Sequence, residues 1–156
     1  MIISASHQHH WLHGYDADQV EQVIDTVLTQ GSPLQPSEVF VGERTVTLET
    51  MDLPEYHVRV CVNPTAGYAA LVFTASDLDP ERMWVSFNSK PPLEDPHLAS
   101  DIDTGRHHDR FTAIPIEQAR TALREFWSTG GQRPASVAWV AGDYYGRITE
   151  RMTVVA

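Results

Sequence analysis

The 156-residue sequence predicts an α+β fold, an antiparallel β-meander packed against two main helices in a single domain. Three observations carry that expectation. Two segments, near residues 16–31 and 114–131, repeat apolar residues at helical spacing. Between residues 38 and 87 the period changes to two, as in half-buried strands. The length suits one core, burying roughly 68–70% of the unfolded surface.

Taken in order, residues 1–15 carry His7, His9, His10 and His13 around Trp11. They read as a polar segment, either a strand covering a sheet edge or a mobile arm. A metal site would need these imidazoles to converge from rigid elements, with partners holding each ring. No His-Glu-x-x-His pattern accompanies them. Asp16 or Asp18 then caps a helix whose Val20, Val23, Ile24, Val27 and Leu28 form one stripe, and Gly31, Pro33 and Pro36 end it.

Residues 44–51 alternate and are expected to form a strand, with Val46 and Leu48 on one face and Thr45, Thr47 and Glu49 on the other. Further on, Tyr56, Val58, Val60 and Val62 face one way while His57, Arg59 and Cys61 face the other. A turn at Asn63-Pro64-Thr65-Ala66-Gly67 leads into the nearly all-apolar residues 68–73, suited to a sheet centre. Residues 83–87 add a short strand. Cys61 reads as a small filler, since no His–Asp or His–Asn pairing pattern marks it as a nucleophile.

Two acidic segments stand out. The turn at residues 76–81 holds Asp77, Asp79 and Glu81 but lacks the central Gly and terminal Glu of an EF-hand. It is either a solvated turn or a patch that faces a partner. The loop at residues 88–109 holds three prolines, Glu94, Asp95, Asp101, Asp103 and Asp109, with His97, His107 and His108. An irregular loop of that length in a compact domain is usually functional or disordered. No spacing singles out two of its acids for acid–base catalysis, and adjacent His107 and His108 would point oppositely in a strand.

Residues 111–114 read as a strand feeding the second helix. Pro115 suits that helix's first turn, where its missing N–H has no partner to lose. Ile116, Ala119, Leu123, Phe126 and Trp127 make its stripe, and Arg120 and Arg124 fall away from it. Gly130 and Gly131 supply a left-handed stop, Pro134 forbids continuation, and a strand follows to Trp139. Beyond a turn with two tyrosines, Ile148, Met152 and Val154 alternate weakly toward a last edge strand. Trp84, Pro115, Leu123, Phe126, Trp127, Pro134 and Trp139 are assigned to packing, and Trp11 to packing or to a surface anchor.

The net charge of −10 sets this chain against nucleic-acid phosphates and favours a basic partner. No apolar run approaches the ~20 residues of a membrane span, and the N-terminus lacks the positive flank of a signal peptide. A single cysteine agrees with a reducing cytoplasm. There is no phosphate-cradling glycine loop, zinc spacing or nucleophile elbow, so neither a cofactor nor a catalytic set is expected.

Ile114-Pro115-Ile116, then Ala119, Leu123, Glu125-Phe126, Gly130, Arg133-Pro134 and Val137-Ala138-Trp139, resembles immunity protein family one of bacterial polymorphic toxin systems. Upstream, the order of helix, meander, Trp84-Val85-Ser86-Phe87-Asn88 and proline-rich loop is also similar, so the resemblance spans about residues 18–139. It implies a non-enzymatic α+β protein, encoded beside a secreted toxin, that binds the toxin in the cytoplasm and blocks its active site. Members are similar to partners of deaminase toxins, including those acting on cytosine in double-stranded DNA. On that reading the partner is a toxin domain with a basic surface. The candidate contacts are Asp77, Asp79, Glu81, Glu94, Asp95, Asp101, Asp103 and Asp109. The alternative is a metal-binding protein or metal-dependent enzyme using the histidine clusters.

Overall fold

Helix stripes and strand alternation meet across a single layer boundary in the computed structural model, which describes residues 1–78, 81–101 and 103–150. The histidine-rich segment is a hairpin, β1 (Ile2–His7) and β2 (His10–Gly14), followed by α1 (Ala17–Thr29). Then come β3 (Ser37–Gly42), β4 (Tyr56–Asn63), β5 (Tyr68–Ala75) and β6 (Arg82–Phe87). A small separate hairpin, β7 (Ala99–Asp101) and β8 (Arg106–His107), precedes the two-residue β9 (Ile114–Pro115), α2 (Ile116–Ser128) and β10 (Ala138–Ala141). Among the described residues eight strands form one antiparallel sheet in the order β10-β6-β5-β4-β3-β1-β2, with β9 paired to the start of β5. The expected α+β meander is therefore present, extended at one edge by the N-terminal hairpin.

Alternation decides which face meets the helices. Val58, Val60 and Val62 of β4, Leu71 and Phe73 of β5, and Ile3, Ala5, Val39 and Val41 bury against Val20, Ile24, Val27, Ala119, Leu123 and Phe126. Phe126 is fully buried and meets Phe73 edge-on at 6.2 Å. Trp84, Trp127 and Trp139 pack at the margin of this core, half-buried. Trp11 lies on the other face, tilted against Phe40 at 6.2 Å.

Side chains fix the helix ends. Asp16 is the N-cap of α1, its Oδ1 accepting from Gln19 N–H at 2.9 Å. Pro115 sits one residue earlier than expected, at the N-cap of α2, because it also completes β9 beside Tyr68. The α2 stop is a Schellman motif: Gly131 N–H donates to Phe126 C=O and Gly130 N–H to Trp127 C=O, at φ +100° and +72°. The Glu125 carboxylate then accepts from Ala135 and Ser136 N–H at 2.7 and 3.0 Å, and Trp139 Nε1 donates to Pro134 C=O at 2.7 Å. Helix, Pro134 loop and β10 are thereby locked as one unit. The two arginines that fall off the apolar stripe bind α1, Arg124 on Glu21 at 2.5 and 2.8 Å and Arg120 on Asp25 at 3.0 Å.

Four sequence expectations need correction. Residues 44–51 form no strand; the preceding strand is β3, whose Val39-Phe40-Val41 are buried on both faces and so do not alternate. Val46 is buried but Leu48 is 89% exposed, so they do not share a face. Residues 110–112 are a 3-10 turn, and only Ile114–Pro115 pair as strand. The loop at 88–109 is partly built, with β7 and β8 in it and Leu98, Ala99 and Ser100 buried. After β10, Gly142 and Ile148 make only an isolated bridge, while Met152 and Val154 lie outside the described residues. No described helix is long and apolar enough to cross a membrane.

Candidate partner-binding surface

The second face of the sheet carries His57, Arg59 and Cys61 of β4 beside Glu38 and Phe40 of β3. Arg59 is only 7% exposed, since the β7 segment and the turn after β10 close over it. Its Nη2 donates to Ser100 C=O, and the guanidinium lies 4.0 Å over the Tyr144 ring. Tyr144 O–H donates to Glu38 Oε1 at 3.2 Å; Arg59 Nη1 lies 3.8 Å from that oxygen and His57 Nε2 3.6 Å from Glu38 Oε2. Loss of solvent pushes the Glu38 carboxyl up to about 6 against the pull of Arg59, and the Tyr144 phenol up to about 12. Glu38 Oε2 and Arg59 Nε and Nη1 have no hydrogen-bond partner among the described residues, so the cluster is only partly satisfied.

Beside it, Cys61 Sγ lies 3.1 Å from His108 Nε2. Thr112 Oγ1 gives its proton to Asp109 C=O at 2.6 Å and sits 3.3 Å from His108 Nδ1. The ring must then donate from Nδ1 to Thr112 and accept the Cys61 S–H at Nε2, which requires a neutral imidazole. Burial pushes the thiol up to about 12 and the imidazole down to about 3. A neutral, buried thiol is a poor nucleophile, so this pair is a packing contact.

The acids chosen from sequence fall into two groups reached from opposite ends of β6. Asp77 is exposed and accepts from Tyr56 O–H at 2.8 Å; Glu81 is exposed; Asp79 lies outside the described residues. In the long loop Glu94, Asp95 and Asp103 are exposed, and Asp95 accepts from His97 N–H at 2.8 Å. Asp101 shapes its own turn by accepting from Thr104 O–H and Asp103 N–H at 2.9 and 3.0 Å; the Thr104 bond leads in holding its carboxyl below the usual range. Asp109 accepts from Ile148 N–H at 2.8 Å and so pins the loop to the following turn.

The histidines separate. His108 is buried, whereas His107 is exposed with its ring edge-on to His97 at 5.9 Å. His13 pairs with Ser4 Oγ at 2.9 Å. Among the described residues no three or more His, Cys, Asp or Glu side chains gather to hold a metal ion. Residues 44–51, expected as a strand, belong instead to a loop at residues 43–55, where Met51 and Leu53 line an open hollow of about 780 Å³ and Leu48 is exposed beside a separate hollow next to Trp11 and Pro36. Leu48-Glu49-Thr50-Met51-Asp52-Leu53 interleaves apolar and acidic residues, a pattern shared with a half-buried strand, so it carries no distinct signal of exposure.

A sheet backed by helices that displays acidic and apolar side chains on its connections is a scaffold that presents loops to another molecule. The family model for Immunity protein Imm1 matches residues 13–141, and the chain belongs to that family. It is thus an immunity protein against a toxin, with the match covering both helices and β3 to β10. No curated protein and no solved structure matches the chain.

Proposed function

We propose that this immunity protein neutralises a nucleic-acid-targeting toxin, a deaminase encoded nearby, by binding it in the cytoplasm and covering its active site without chemistry of its own. The observation that carries the reading is the acidic excess of −10, part of it displayed on exposed loop residues Asp77, Glu81, Glu94, Asp95 and Asp103. An enzyme that handles phosphate backbones presents a basic groove, and an acidic protein is steered to it. Asp79 lies between Asp77 and Glu81 in the sequence, while Asp101 and Asp109 act by shaping the loop that bears Glu94, Asp95 and Asp103. The test is co-purification with the product of the adjacent gene and stoichiometric inhibition of its base deamination. Reversing Glu94, Asp95 and Asp103 to lysine should slow association about tenfold at low salt, with little change in thermal stability. An unchanged on-rate counts against these contacts.

A further inference from the structure

The β3–β4 connection presents an unusual tip. Leu48 is 89% and Met51 98% exposed, with Leu53 half-exposed beyond them. Single exposed apolar residues need no explanation, but three within six residues, interleaved with Glu49 and Asp52, make a local patch. The tip is not slack. Val46 beneath it is buried and donates its N–H to Ser4 Oγ of β1 at 2.9 Å. Thr47 N–H donates to Thr50 Oγ1 at 2.9 Å, and Thr50 N–H returns to Thr47 C=O at 3.1 Å. The two most exposed apolar side chains of the patch are therefore held out from a pre-formed turn, which lowers the ordering cost of docking.

We infer that this tip, residues 47–52, is a plug for the toxin's substrate cleft: Leu48 and Met51 enter an apolar slot, and Glu49 and Asp52 meet basic groups at its rim. The inference rests on the reading of the partner as an enzyme acting on nucleobases. A pocket that takes a base stacks it between apolar or aromatic walls, with cations nearby for the phosphates. An apolar side chain flanked by carboxylates matches both demands at once. Met51 adds an unbranched, adaptable side chain suited to a slot shaped for another molecule. Charge selects this occupant over a second copy of the chain, since self-docking would bring Glu49 and Asp52 against their own counterparts on a protein of charge −10.

The experiment titrates the adjacent-gene toxin domain with wild-type protein, Leu48→Ser/Met51→Ser and Glu49→Lys/Asp52→Lys. Wild-type protein failing to bind, or a toxin inactive on nucleobases, removes the partner reading itself. Given wild-type binding, the serine pair should weaken affinity about 30-fold, the scale of a hot-spot loss, with an unchanged melting temperature. The lysine pair should slow association about tenfold at low salt, and less at high salt. Serine-pair affinity within about twofold of wild type overturns the plug, given the hot-spot scale. So does sedimentation showing a wild-type dimer that the serine pair dissolves, since the tip would then be an interface between copies.

Discussion

Replacing His108 by glutamine should remove most of the acid sensitivity that this one buried ring confers. His108 packs against Cys61 and Thr112, and a Cβ placed on Gly146 would fall 2.0 Å from its Nδ1, so the turn after β10 seals the ring from water. Burial first, then Arg59 and His107, lower the imidazole from 6.5 to about 3. In the unfolded chain the ring takes up its proton near 6.5, but the folded protein resists until about 3. The stability from the neutral ring is therefore complete above about pH 6.5 and is lost as pH falls toward 3. One unit is worth about 1.36 kcal/mol, which gives a loss of about 2 kcal/mol between pH 7 and 5 and about 4 kcal/mol by pH 3, where the folded ring is itself half protonated. Urea unfolding of both proteins at pH 7 and pH 5 measures the difference of differences. Glu38, raised to about 6, acts with the opposite sign, because the folded state takes its proton first and gains stability as pH falls from about 6 toward 4.5. That contribution is common to both chains and cancels. Should the His108→Gln variant lose as much stability from pH 7 to 5 as wild type, within about 0.5 kcal/mol, the buried neutral imidazole is refuted.

Phe126→Ala should cost about 3–5 kcal/mol in urea unfolding, since a fully buried ring edge-on to Phe73 leaves a cavity at the helix–sheet junction. Gly131→Ala should cost about 1–2 kcal/mol by thermal melting: its Cβ would meet only ordinary contacts at 3.6 Å and beyond, so the penalty is the strain of φ +100°. Arg124→Ala should cost under about 1 kcal/mol despite its two-pronged bond to Glu21, because both side chains are near half-exposed, and salt should shrink the effect further.

What the sequence made legible rests on local spacing. The α1 stripe, the Asp16 cap, the alternation of residues 56–62 and the double-glycine stop of α2 depend on neighbours a few residues apart, and each is where it was expected. The strand expected at 44–51 failed because threonine competes with the ladder. Thr47 and Thr50 bond each other's backbone, while Val46 N–H goes to a serine side chain instead of a strand. β3 escaped notice for the opposite reason, since Val39, Phe40 and Val41 are buried together and erase the alternation. Least legible was the second face of the sheet. Glu38, Arg59, Ser100, His108 and Tyr144 come from five separated segments, and no spacing announces that the topology will stack them. For the same reason the exposure of Leu48 and Met51 could not be read from a pattern that also describes a half-buried strand.

The strand order also sets a schedule. β1 to β5 and α1 all lie within the first 75 residues, so most of the sheet can pair while the chain is still being made. Phe73 and Leu71 nevertheless stay uncovered until α2, residues 116–128, leaves the ribosome. At typical synthesis rates that interval is roughly 3–10 s, during which a broad apolar sheet face is open to self-association. Docking of α2 closes the core, so slower translation between β5 and α2 lengthens the time for which that apolar face is exposed.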